Sequence, residues 1–345
     1  MAVTPQQIAN NKCFGGSIIK YEFVSKTLGN TKARFNVFLP PQASPSNPVP
    51  ILMYLSGLTC SEDNFVQKAG AQQCAAQYGI ALLCPDTSPR GANIDGESKD
   101  WDFGVAAGFY LNATQKPWSE YYNMYDYITK ELPQTLQSID HLKERLDLRN
   151  VSIFGHSMGG HGSLSLYLKN LDAYKSCSAF SPVANPTKCR WGQKAFKNYL
   201  GGTEKDWVQY DSLELVKKLN ANDKAKMNVI LIDQGLADFA LTHGDDNHNQ
   251  LRTKEFENAC KENNVQIKVR YHEGYGHGYD FIATFVADHI AFHAKYLLSG
   301  ARKPAISSVL SRIDDVLTFL DEDEKEAATV QSAPAERQKF ETEGK

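Results

Sequence analysis

The chain has 345 residues, 42% hydrophobic and 22% charged, with a formal net charge of −3. This is the composition of a soluble globular protein with a large core, and it excludes a mainly disordered or fibrous chain. With 37 Lys and Arg against 40 Asp and Glu, no charge excess points to nucleic acid or an anionic membrane as partner.

Residues 1–12 are polar, and no apolar run approaches the roughly 20 residues that span a bilayer. Cys13, Cys60, Cys74, Cys84, Cys177, Cys189 and Cys260 are scattered, odd in number and free of any C-x-x-C pair. That spacing argues against a zinc ribbon or a disulfide-stapled secreted domain. The expectation is a reduced, cytoplasmic, soluble protein.

In chain order, alternation and β-branching predict strands over 16–24 and 33–39. Short continuous apolar runs at 49–55, 80–84 and 151–154 suit strands buried on both faces of a parallel sheet, and 228–232 and 265–271 complete the set. Helical patterns over 64–78, 122–136 and 160–168 lie between them. Alternating strands and helices predict an α/β fold with a mostly parallel central sheet. The expected domain spans 1–300. After it, Ile306, Val309, Leu310, Ile313, Val316, Leu317 and Leu320 share one helical face. An acidic segment, 321–345, then reads as a disordered tail. The short helix reads as a docked element or, alternatively, as a partner-binding one.

Gly155-His156-Ser157-Met158-Gly159 follows one strand pattern and opens a helical one, the context a nucleophile elbow requires. Glycines flank a turn too tight for larger neighbours and leave the Ser157 hydroxyl exposed above the sheet. A serine needs a base within reach and an acid to orient that base, in the order Ser, Asp or Glu, His. His277, set among glycines beyond the 265–271 strand, is the candidate base. His272 sits at a strand end, His289 and His293 lie on the following helix, and His156 is inside the elbow. Asp233 and Asp238 both follow the 228–232 strand. Asp233 continues the strand and suits a structural bond, whereas Asp238 lies out in the loop and is favoured as the acid. Backbone N–H groups of Leu58 and Met158 are the expected oxyanion donors, with Gly57 permitting close approach.

Longer stretches carry a resemblance: Leu55-Ser56-Gly57-Leu58-Thr59-Cys60, Asp86-Thr87-Ser88-Pro89-Arg90-Gly91, Trp101-Asp102-Phe103-Gly104 and Gly108-Phe109-Tyr110-Leu111-Asn112-Ala113-Thr114. Met124-Tyr125-Asp126-Tyr127, GHSMGGHG from Gly155, WGQKAF from Trp191 and FIATF from Phe281 extend it. With these motifs, residues 5–298 resemble the S-formylglutathione hydrolase (esterase D) family of α/β-hydrolases. The resemblance implies a Ser157, Asp238, His277 triad and hydrolysis of S-formylglutathione to glutathione and formate. It further implies side activity on small esters, a homodimer, and Phe109, Tyr110 and Trp191 lining the thiol side of the site. Cys60 would lie near the oxyanion loop, as a small buried hydrophobe or as a reachable thiol. The chain departs from the family pattern at Arg190, where proline is usual, and at Phe239, one position early. Gly276 and Gly278 stand where Asp and Ser are usual.

No metal or cofactor is expected. His243, Asp245, Asp246 and His248 lack ordered ligand spacing, and Asp95, Glu97, Asp100 and Asp102 lack the twelve-residue calcium pattern. Two other readings stand beside the thioesterase: a general carboxylesterase or acyltransferase, and a non-catalytic interaction scaffold.

Overall fold

Continuous apolar runs bounded by glycine and proline become the strands of one mixed sheet. The computed structural model describes residues 5–242 and 249–299. The expected helix over 306–320, the acidic tail, and His243, Asp245, Asp246 and His248 lie outside the described residues. The strands are β1 (Gln6–Cys13), β2 (Gly16–Ser25), β3 (Thr31–Leu39), β4 (Val49–Leu55), β5 (Ala81–Pro85), β6 (Leu146–His156), β7 (Cys177–Phe180), β8 (Ile230–Gly235) and β9 (Ile267–His272). Their order is β1-β2-β3-β5-β4-β6-β7-β8-β9. Pairings from β1 through to β3 with β5 are antiparallel, and the remainder are parallel.

Two strands carry no readable sequence signal. β1 reads QQIANNKC, a largely exposed edge strand without alternation. β7 has only four residues. The helix expected over 64–78 is two helices, α1 (Asp63–Lys68) and α2 (Gln72–Tyr78). Gly70 breaks them apart at φ +67, a left-handed conformation that favours glycine. The next helix, α3 (124–138), widens into π turns over Tyr127–Glu131. Pro133 stands two residues on and has no N–H to return to Thr129, so the regular ladder cannot continue through it.

Four further helices matter to the site: α4 (Met158–Lys169), α5 (Arg190–Leu200), α6 (Thr253–Glu262) and α7 (Tyr279–Leu297). Strand residues alternate between the two faces of the sheet. Ile153, Ala179 and Ile232 pack in the same buried cluster as Leu164 and Leu166 of α4. Their neighbours Phe154 and Phe180 instead meet His289 of α7, at ring separations of 6.4 and 3.8 Å. The central strands are thus covered by a helix on each side, which explains runs with no polar face.

Beneath α7 lies a chain of buried polar groups. The Ser152 and Ser176 hydroxyls are 2.7 Å apart, and Ser176 meets His293 Nδ1 at 2.7 Å. Ser178 meets both His293 Nε2 and His289 Nδ1 at 2.7 Å. His289 Nε2 then approaches Asp233 at 3.3 Å. Arg270 donates to Asp233 through Nε at 2.6 Å and Nη2 at 2.5 Å, and to Asp288 through Nη1 at 2.7 Å. The structural role expected of Asp233 is the one it holds.

Burial alone would raise the Asp233 carboxyl, but the adjoining His272 and His289 rings and the Arg270 guanidinium outweigh it and hold the group well below the usual carboxylate range. A depressed carboxylate contributes stability that is complete above its unfolded value of about 4 and is lost as pH falls through the folded value. Asp233→Asn should therefore cost about 3 kcal/mol near neutral pH by leaving Arg270 under-paired. Calorimetry is expected to show a melting point lower by roughly 6–12 °C, the gap from wild type narrowing as pH falls below 4.

Candidate active site

Each functional side chain projects from a loop past the carboxyl end of a parallel strand, where α/β sheets place their ligand sites. Ser157 stands between β6 and α4 at φ 58 and ψ −118, a backbone conformation costly for a side chain with a Cβ. Backbone bonds hold it there. Its N–H donates to the Phe180 carbonyl at 3.0 Å, and its own carbonyl accepts from His161 at 3.0 Å and Val183 at 3.1 Å. Cβ atoms on Gly155 or Gly159 would overlap backbone atoms of the turn and of Leu55. A Cβ on Gly57 would come within 3.1 Å of Ser157 Cβ. The glycines are there because three backbone segments converge on one serine.

The loop after β4 carries Leu58. Among the described residues, neither the Leu58 N–H nor the Met158 N–H donates to another group, so both are free for an incoming oxygen. Around them the loop is tied down. Thr59 N–H donates to the Ala106 carbonyl at 3.1 Å. Thr87 Oγ1 and Arg90 Nη2 donate to the Cys60 carbonyl at 2.6 and 3.0 Å. Arg90 in turn grips Asp86 through Nε at 2.9 Å and Nη2 at 2.5 Å. Burial pushes the Asp86 carboxyl up to about 6 against the opposing pull of Arg90. The Asp86–Gly91 stretch, conspicuous in the sequence, is thus a brace for the loop that carries Leu58.

Asp238 and His277 meet at 2.6 Å, Oδ2 to Nδ1. Asp238 is fully buried, and its Oδ1 accepts from Ala240 N–H at 2.8 Å. The two loops are zipped by backbone bonds from Leu236 to His272 at 2.9 Å and from Ala237 to Tyr275 at 2.9 Å. Gly235 is required at that seam, since a Cβ there would strike the Tyr275 and Gly276 carbonyls. His156 packs against His277 with ring centroids 4.4 Å apart. Burial first, then the neighbouring His277, lowers the His156 pKa well below the usual histidine range, so it stays uncharged.

Ser157 and His277 open on one cavity of about 320 Å³. Gly57, Leu58, Cys60 and Trp191, all expected at the site, line it too. Met158 and Asp238 sit behind it, buried. Cys60 is half-buried and its thiol is raised by burial, so it is a weak nucleophile at neutral pH. Phe109 and Tyr110 require correction as substrate-lining residues. Both are fully buried, at φ 50 and 49, and neither lines the cavity. They support the site from behind: Tyr110 Oη donates to the Ser56 carbonyl at 2.8 Å, and the Phe109 carbonyl meets His161 Nε2 at 3.1 Å.

Sequence reasoning did not place Trp101, Phe239, Tyr279, Asn64 and Lys68 at the cavity. Trp101 and Phe239 are exposed large hydrophobics at its mouth. Trp101 meets Trp191 edge-on at 5.4 Å, Trp191 meets Phe239 at 6.3 Å, and Phe239 meets His277 at 5.2 Å. An aromatic directly after Asp238 was the available signal for Phe239. Arg190 opens α5 at the first helical position, which proline also favours, so the exchange preserves the helix start. Gly276 has open space where a side chain would stand, and Gly278 caps α7. A second cavity of about 320 Å³ lies at the opposite end of the parallel strands, by Ile51, Val151 and Leu148, away from the serine. Among the described residues no three His, Cys, Asp or Glu side chains form a metal site, and Asp100 and Asp102 pair with Lys194.

The sheet, the strand–serine–helix elbow and the loop order are those of the α/β-hydrolase class. Residues 25–292 match the family described as "Putative esterase". The chain is 50% identical over 297 residues to S-formylglutathione hydrolase of Arabidopsis thaliana, covering 86% of this chain and 99% of that one. It is 50% identical over 292 residues to S-formylglutathione hydrolase of Mus musculus, covering 85% and 98%. A solved S-formylglutathione hydrolase from Agrobacterium tumefaciens superimposes with a TM-score of 0.76 at 41% identity, over 86% of this chain and all of that one. The chain belongs to the S-formylglutathione hydrolase family of esterases.

Gly159→Ala tests the steric reading of the elbow. Because the Cβ would meet strand backbone rather than a movable side chain, a loss of about 3 kcal/mol or more is expected. Chemical denaturation with an unchanged m-value is the check, and a loss under 1 kcal/mol would contradict it.

Proposed function

We propose that the protein hydrolyses S-formylglutathione to glutathione and formate, with Ser157 as nucleophile, His277 as general base and acid, and Asp238 as its orienter. The observation that carries this is the 2.6 Å bond from Asp238 to His277 Nδ1. It sets which nitrogen is left to face the serine in their shared cavity. Ser157 Oγ adds to the formyl carbon as His277 takes its proton, and the N–H groups of Leu58 and Met158 receive the oxyanion. The carbon–sulfur bond breaks, and the glutathione thiolate leaves with the proton held by His277. Water, deprotonated by His277, then attacks the formyl ester, and formate departs as Ser157 recovers its proton. A thiolate is a better leaving group than an alkoxide, so this substrate asks little of His277 as acid.

All seven cysteines are free, which supports the further proposal of a reducing, cytoplasmic setting. No helix among the described residues is long and apolar enough to cross a membrane. The homodimer rests on the resemblance alone and is read from the mass in solution. The aromatic mouth formed by Trp101, Trp191 and Phe239 favours a second activity on aryl esters.

The test is formate release from S-formylglutathione, run beside p-nitrophenyl acetate hydrolysis. Wild type is expected to prefer the thioester in kcat/KM, and Ser157→Ala to lose both activities. Asp238→Asn should lower kcat by about 10⁴-fold, since the amide no longer enforces the imidazole tautomer. A preference for the aryl ester would favour the carboxylesterase reading. Failure of the wild type to react with a fluorophosphonate would favour the scaffold.

A further inference from the structure

Among the residues lining the Ser157 cavity, Lys68 is the one lysine, and no arginine, aspartate or glutamate lines it. Lys68 ends α1 and is exposed. Its ammonium lies 5.7 Å from the centroid of the Tyr279 ring, another lining residue, which keeps it against the cavity wall. Among the described residues it makes no ion pair. Carboxylates close to it in the chain, and others near the cavity, are bound by different cations. Glu62 and Asp63, at the start of the same helix, are both bound by Lys20, at 2.7 and 2.6 Å. Asp86 is held by Arg90, and Asp100 and Asp102, beside Trp101, by Lys194. Among the described residues the cavity therefore has a cation without a counter-ion, within reach of solvent and on the same surface as Ser157.

The proposed substrate supplies what is missing. Its formyl end is small and uncharged, whereas its thiol half carries two carboxylates and one ammonium. The formyl carbon must sit at Ser157 Oγ, so the thiol half extends along the cavity toward its mouth. The aromatic side of that mouth, Trp101, Trp191 and Phe239, offers ring faces and edges, while Asn64 already accepts from Ser61 N–H at 2.8 Å through its carbonyl. We propose that Lys68 binds a carboxylate of the thiol half and so selects the anionic thioester over uncharged esters. The proposal rests on the functional reading above. In physical terms it is a charge-assisted contact at a partly screened site, and the same charge draws the anion toward the mouth.

The experiment measures two things on wild type, Lys68→Ala and Lys68→Arg. The first is kcat and KM on S-formylglutathione. The second is the inhibition constant of S-methylglutathione, a thioether that cannot be cleaved, against p-nitrophenyl acetate hydrolysis. For Lys68→Ala the expected result is a rise of about fivefold or more in both KM and inhibition constant at low salt. The arginine variant should keep most of the affinity, and the loss on the uncharged ester should be severalfold smaller. The wild-type inhibition constant should rise with ionic strength and that of the alanine variant should not. The monoethyl ester of S-methylglutathione, blocked at the glycyl carboxylate, shows which group is held. If it binds both proteins equally, Lys68 holds the glycyl carboxylate; if the difference persists, Lys68 holds the other. Equal inhibition constants for wild type and Lys68→Ala, or no inhibition of the wild type, would overturn the assignment. Absence of formate release by wild type would instead overturn the functional reading, and the inhibition constants would still report on Lys68.

Discussion

Everything at the site depends on three backbone segments packing within a few ångströms of Ser157: the end of β4, the β6–α4 turn, and the end of β7. The serine adopts φ 58 because its N–H and carbonyl are both fixed, by Phe180 on one side and by His161 and Val183 on the other. A strained residue persists only where its surroundings over-determine it, and here two covered sheet faces do so. Gly57, Gly155 and Gly159 follow from the same crowding. The Leu58 amide and the Ser157 hydroxyl are positioned by the same close approach of Gly57 to Ser157.

Asp238 and His277 are held by a second arrangement. β8 and β9 end in loops that share backbone bonds, so Asp238 and His277 move as a unit. Asp233, five residues before Asp238, carries the structural charge that clamps these strands to α7 through Arg270 and His289. Two buried aspartates five residues apart thus divide the work, Asp233 in the strand securing the scaffold and Asp238 in the loop beyond it meeting the imidazole.

Much of this was legible in the sequence because it is written in local terms. The runs at 49–55 and 151–154 lie within β4 and β6, and the glycine spacing around Ser157 reports a steric need that no other residue satisfies. Choosing Asp238 over Asp233 needed only the side of the strand end on which each falls. What stayed hidden depends on distant partners. β7 is too short to show a pattern, and β1 is a polar edge held by pairing with β2. Phe109 and Tyr110 have the composition of a pocket wall, yet positive backbone angles turn them inward beneath the elbow. Lys68 reaches the cavity from a segment with no motif of its own, so only the folded chain brings it to the serine.

The two tryptophans at the mouth have an optical consequence. Trp101 is 55% exposed and touches Trp191, whereas Trp118 and Trp207 are only 9% and 7% exposed. Indole emission follows the polarity around the ring, so filling the cavity displaces water from one pair and leaves the other pair as an internal standard. The chain carries its own gauge of occupancy, and ligand arrival registers as a change in colour as well as in turnover.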